Sequence, residues 1–242
     1  MEESEYRKLA QVEDRMWYFR GLHGLAERAL GGALGAAAQI LDAGCGTGGL
    51  IRRLGPAHPG WAWTGIDLSP VACALARERT TADIRLGSVT ELPFGERSFD
   101  AVVSCDVLYH VEDDGAALRE AARVLRPGGL IVVNVPAYRW LWSYHDRAVH
   151  SVRRYGRMEL AAKLGRAGFS QLRTGPWNTI LFPWVVLRRK LLPAPRGGSD
   201  VRTYPAAVEA VARAALALEG CWTATGLRLP YGSSIFATAR KP

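Results

Sequence analysis

Long apolar runs are missing from this chain of 242 residues. The nearest is ILFPWVVLRRKLL, 180–192, which a proline and three basic residues interrupt. That falls short of the ~18 apolar residues a membrane-crossing helix requires. Cysteine is scarce and scattered: Cys45, Cys73, Cys105 and Cys221 form no CxxC pair. The spacing excludes a zinc ribbon and gives no disulfide framework, so we expect reduced thiols in a cytoplasmic protein and no metal site. The opening MEESEYRKLAQVEDRMWYF has no basic segment followed by an apolar one, so no secretory signal is expected there. Acidic residues are the minority, 23 against 31 Lys and Arg, for a net charge of +8. The arginines are dispersed and many alternate with acids along helical stretches, which argues against a nucleic-acid partner.

What is present is a rhythm of short apolar runs and amphipathic stretches. Runs at 39–43, 61–67, 83–87, 99–106, 130–136, 170–176 and 233–240 read as seven strands. Helical patterns lie between most of them, which predicts an α/β fold: a doubly wound, mostly parallel seven-stranded sheet. Ser69 and Pro70 mark a helix start as N-cap and first residue. Residues 5–35 read as a helical cap. We expect a single domain: cap 1–36, core 37–176, a helical insertion 177–226 and a last strand within 227–242. PAPRGGSD, at 193–200, has the composition of a mobile linker.

ILDAGCGTGGL, at 40–50, places four glycines directly behind a predicted strand. Glycines there allow a tight turn and let a ligand reach main-chain amides at the carboxyl edge of the sheet. Gly44, Gly46 and Gly49 also satisfy GxGxxG, which taken alone admits a nicotinamide dinucleotide equally well. Asp67, at the end of the second strand, suits either cofactor as the acceptor of two ribose hydroxyls.

LDAGCGTGG resembles the first motif of the class I S-adenosylmethionine-dependent methyltransferases. GIDLSP, LPFGERSFDAVVSCDVLYHVED and VLRPGGLIVVNVP resemble that family's later motifs, in the same order. The resemblance spans roughly residues 37–136. It implies that Asp42, Gly44, Cys45, Gly46 and Gly48 hold the methionine part of the cofactor. Asp67 would hold the ribose, Leu68 would pack on the adenine, and Ser88 and Val89 would border it. Serine stands at 88 where the family often has aspartate. Cys105 and Asp106 would lie beside the sulfonium. EDRMWYFRGLH and the segment 138–160 resemble a bacterial subgroup of small-molecule methyltransferases, implying that Trp17 and Arg20 close over the cofactor.

Methyl transfer to a hydroxyl or ammonium needs a proton acceptor, and histidine has the right ordinary pKa. His110, His145 and His150 are the candidates, with Asp146 placed to orient His150 if that segment is helical. Tyr109, Trp142, Tyr144, Arg153, Arg154 and Tyr155 are candidate acceptor contacts, the arginines suiting an anionic group. The expected activity is transfer of a methyl group to oxygen or nitrogen of a small molecule, leaving S-adenosylhomocysteine. A membrane-docked enzyme for a lipid-linked acceptor, through 180–192, is the first alternative. A fold that keeps the cofactor as a scaffold for cyclisation or isomerisation is the second. Monomer and homodimer are both open.

Overall fold

The computed structural model describes residues 2–194, 199–224 and 229–242. Residues 195–198 of the linker-like segment, and the boundary expected at 226, lie outside the described residues. One sheet organises the chain. Its strands are β1 (Ala38–Ala43), β2 (Trp61–Asp67), β3 (Asp83–Leu86), β4 (Phe99–Cys105), β5 (Leu125–Pro136), β6 (Ser170–Trp177) and β7 (Ser234–Arg240). They stand in the order β3-β2-β1-β4-β5-β7-β6. The first five are parallel, and β7 runs antiparallel between β5 and β6. The fold expectation therefore holds.

The strands are apolar along their length because helices cover both faces of the sheet. Leu41, Ile66, Val102, Ile131 and Val133 face α5 (Asp114–Val124) and α7 (Arg157–Arg166). Their neighbours Ile40, Ala101, Val103, Leu130 and Val132 face the other way. There they meet α2 (Trp17–Gly31), α3 (Gly49–Ala57) and α4 (Pro70–Arg79). Ser69 caps α4 as expected, accepting the Ala72 N–H at 3.3 Å. Strand order reverses between β1 and β4. That reversal opens a crevice at the carboxyl ends of the strands, where ligands bind in sheets of this kind.

The cap is two helices, not one. α1 (Glu3–Val12) ends before Glu13, and α2 begins after a buried, extended Met16. Glu13 is turned inward onto Arg79 and the Thr47 hydroxyl, a long-range tie that no local breaker announces. The insertion holds α8 (Phe182–Lys190) and α9 (Ala206–Ala224). Among the described residues no helix is long and apolar enough to cross a membrane.

The short α6 (Tyr144–Ala148) is pinned by a buried ion pair. Arg154 donates through Nε and Nη2 to Asp146 at 2.6 and 3.0 Å, and through Nη1 to the Ala137 carbonyl at 2.8 Å. Burial pushes the Asp146 carboxyl up, but the Arg154 guanidinium and the Ser143 amide hold it below the ordinary range. Removing one partner of such a pair costs about 3–5 kcal/mol, because the other stays buried and uncompensated. Arg154→Met is therefore expected to lower the melting temperature sharply, and adding Asp146→Leu should recover much of the loss. Calorimetry of the three variants checks this; an Arg154→Met protein as stable as wild type would dismiss the pair as an anchor.

Candidate active site

The loop after β1 is stitched to the end of β2. Gly44 and Cys45 N–H groups donate to the Ile66 carbonyl at 2.8 and 2.9 Å. Gly44 has φ of +91°, and a Cβ on it would sit 2.3 Å from the Val107 side chain. Only glycine satisfies both demands. One residue on, the Gly46 N–H donates to Asp67 Oδ2 at 2.9 Å, while Asp67 Oδ1 accepts the Ser69 N–H at 2.9 Å. From above, the Tyr6 hydroxyl of α1 reaches Asp67 at 3.4 Å.

These groups line a cavity of about 870 Å³ that spans the crevice and runs beneath α8. Gly44, Cys45, Gly46, Asp42, Asp67, Leu68, Ser88, Val89, Cys105 and Trp17 all line it. Leu68 is 74 % exposed, an apolar shelf with its face bare. Its other walls come from Tyr6, Leu9 and Glu13. Gly48, in contrast, is outside the lining: with φ of +79° it packs its α-carbon face on Ala76 and Thr80, so it shapes the turn. Arg20 is also outside, exposed on the outer side of α2.

The first half of the cavity is acidic. Asp42 is buried, and among the described residues nothing hydrogen-bonds to its carboxylate. Burial, then the charges of Asp67 and Glu13, push it up to about 8. A cationic ligand is what such a wall lacks. Asp106, just past β4, adopts φ of +58°. It accepts from the Tyr18 hydroxyl at 3.0 Å and from Asn134 Nδ2 at 2.7 Å, and the Asn134 carbonyl in turn accepts from Trp177 Nε1 at 2.6 Å. Burial raises Asp106 to about 6 against those bonds.

The second half is formed by Tyr109, His110, His145, Arg154, Trp184, Val185, Arg188, Arg189 and Asp200. His145 Nδ1 accepts the Asp200 N–H at 3.1 Å. Its neutral form then carries the proton on Nε2 and presents a donor. His110 is the reverse: Nδ1 faces the His150 carbonyl at 3.3 Å and must donate, leaving the Nε2 lone pair free. Burial lowers both rings to about 4.

Several expected contacts fall elsewhere. His150 stands outside the cavity, exposed, 3.7 Å from Glu2. α6 ends before it, and Asp146 is held by Arg154, so Asp146 does not orient it. Arg153 is bound to the Glu112 carbonyl at 2.6 Å and to Asp114 at 3.1 Å. Tyr155 is fully buried, its hydroxyl on Asp114 at 2.7 Å. Trp142 and Tyr144 are not in the lining, and the Tyr144 hydroxyl is on Asp200 at 2.7 Å. Arg154 lines the cavity but all its nitrogens are engaged. Sequence reasoning missed Tyr6, Glu13, Asn134 and Asp200. Only the arginine run at 188–189 carried a local signal, and there α8 delivers Arg189 to Asp200 at 3.0 Å.

The sheet order with its reversed β7, the glycine turn and the acid-lined crevice together define a class I S-adenosylmethionine-dependent methyltransferase fold. The family model described as a methyltransferase domain matches residues 41–133. The demethylmenaquinone methyltransferase of Tropheryma whipplei is 40% identical over 104 residues, covering 40% of this chain and 41% of that protein. The ubiquinone biosynthesis O-methyltransferase of Xanthomonas oryzae pv. oryzae is 36% identical over 146 residues, covering 54% and 60%. The chain thus spans roughly half the length of these curated relatives. A SAM-dependent methyltransferase from Thermotoga maritima shares the fold, with a TM-score of 0.63 at 18% identity over 99% of this chain and 96% of that one.

The two aspartates of the crevice give two expectations. Asp67→Ala removes charge-assisted acceptors worth about 1.5–3 kcal/mol, so S-adenosylmethionine should bind ten- to a hundredfold more weakly by calorimetry, with the circular dichroism unchanged. Undiminished affinity would remove Asp67 from the ligand's contacts. Asp42 has a folded pKa raised above its unfolded value, so its contribution is intact below about pH 4 and lost as pH climbs through about 8. Asp42→Asn should therefore stabilise the ligand-free protein more at pH 9 than at pH 5, while weakening S-adenosylmethionine binding. Melting curves equal in shift at both pH values would contradict the raised pKa.

Proposed function

We propose that the protein is an S-adenosylmethionine-dependent methyltransferase that moves a methyl group to oxygen or nitrogen of a small-molecule acceptor. The reading treats the helical cap, core and insertion as one working domain. The observation that carries it is the composition of one cavity: uncompensated acids at one end, and a histidine with a free lone pair at the other. When bound, the cofactor supplies a methyl carbon already activated by a positive sulfur. Asp42 and Asp67 would offer their carboxylates to its cationic and hydroxyl groups, while the Gly44, Cys45 and Gly46 amides are already engaged by Ile66 and Asp67 and shape the turn around it. Leu68 and Val89 would border the adenine. α1 and the Trp17–Phe19 turn cover the donor half and keep water away.

On the acceptor side, His110 Nε2 accepts the proton of the attacking hydroxyl or ammonium, and the His150 carbonyl fixes its tautomer. His145 serves as a hydrogen-bond donor to the acceptor. Trp184 and Val185 give α8 an apolar inner edge, which supports an acceptor with an apolar portion.

With methyl-labelled S-adenosylmethionine and a panel of phenols, catechols and amines, label should pass to an acceptor as S-adenosylhomocysteine accumulates. Acceptor turnover with the donor left intact would replace this reading with a scaffold role. His110→Gln should lower kcat by about 10²–10⁴-fold and leave cofactor affinity in place. A base must be deprotonated to act, so kcat should fall only as pH drops through about 4, the His110 value. An acidic limb near 6 would transfer the role to Asp106.

A further inference from the structure

A second concavity, about 1010 Å³, lies along the outer side of α2, between α9 and the β6 edge of the sheet. Six arginines line it: Arg20, Arg28 and Arg53 from α2 and α3, Arg157 from the start of α7, Arg173 from β6 and Arg213 from α9. All six are exposed. Among the described residues only Arg53 has an acidic partner, Glu27 at 4.0 Å. The groove's single acid, Glu219, is buried and accepts the Thr179 and Ile180 N–H groups at 2.7 and 3.2 Å. By contrast Arg79, Arg123, Arg126, Arg153, Arg154 and Arg189 each meet a carboxylate.

Gathering unpaired cations in one groove works against the folded state. Burial first, then the charges of Arg20 and Arg28, hold the Arg53 guanidinium below its ordinary value in spite of Glu27. A concave wall also focuses the field of its charges more than a flat surface does. The floor is different in kind. Leu25, Leu172, Leu216 and Phe236 lie half-buried between the guanidinium groups.

We propose that this groove is a second binding site, distinct from the methyl-transfer cavity, for a small ligand carrying at least two phosphate groups and an apolar portion. Guanidinium forks match phosphate oxygens in pairs, which explains arginine on every wall and lysine on none. The apolar floor takes the rest of the ligand. The groove's volume is that of a small-molecule pocket.

Calorimetry with inorganic tripolyphosphate and with ADP tests this on the whole protein. Both should bind to wild type, ADP the more tightly, and both should weaken as salt rises. Arg20→Gln, Arg28→Gln and Arg213→Gln combined should weaken both by at least about tenfold, roughly one bidentate contact. A charge-matched control, Arg97→Gln, Arg147→Gln and Arg166→Gln, should change them less than about twofold, since it leaves the groove's short-range contacts whole. Equal weakening in both triples would reduce the groove to diffuse surface charge and overturn the proposal. So would a wild type that binds neither probe. Binding of a short single-stranded oligonucleotide without either probe would assign the groove to nucleic acid and overturn the small ligand. S-adenosylmethionine affinity, measured alongside, reports on the other cavity and keeps the two sites separable.

Discussion

A single carboxylate sits where two loops must meet. Asp67 ends β2 and accepts one amide from each side, Gly46 from the glycine turn and Ser69 from the start of α4. One bond ties the glycine turn to the end of β2, and the other ties in the residue that caps α4. Charge-assisted bonds to backbone amides are among the stronger ones available to a protein. The oxygens that hold the two segments together are also those a sugar's hydroxyls would seek. The crevice is thus kept open and presented by the same group.

The cavity above it is divided by how its acids are compensated. On the acceptor side Asp146 is matched by Arg154, and Asp200 by Arg189 with Tyr144. Those carboxyls are driven up by burial but held below the ordinary range by their partners. On the donor side Asp42 has no such partner, and burial with neighbouring charge wins. The same residue type is fixed in one state at one end and left frustrated at the other. Asp106 lies at the junction, in a left-handed conformation that aspartate tolerates but does not prefer. Tyr18, Asn134 and Trp177 bond in sequence behind it. That chain carries the position of α2 and β6 to the point where donor and acceptor halves meet.

The sheet was legible because strands covered on both faces must be apolar along their whole length, and such runs stand out between amphipathic stretches. The rim of the crevice at the ends of β1 and β2 was legible for a related reason: glycines and an acid at strand ends are local features. The part of the cavity beneath α8 was not, because its side chains are engaged by partners distant in sequence. Arg153, Arg154 and Tyr155 look like a ready anion site, yet Asp114 and Asp146 absorb them. His150 reads like His110, but one is exposed and lends only its carbonyl, while the other is lodged in the wall. The break inside the helical cap was not legible, because nothing between Glu13 and Met16 breaks a helix locally. The break is made by Arg79 and Thr47, which lie far along the chain.

The same distinction applies to the net charge. Dispersed along the sequence, 31 basic residues against 23 acidic ones read as a solvated surface. Folding separates them into two populations. One population is spent on internal pairing, where removing a partner strands a buried charge. The other includes residues as remote as Arg20, Arg173 and Arg213, brought onto one concave wall where, among the described residues, none of the three has an ion-pair partner. Stability explains the first population and is reduced by the second. A charge that folding concentrates and leaves uncompensated is maintained for something outside the fold, and the same reasoning holds for Asp42 with the sign reversed.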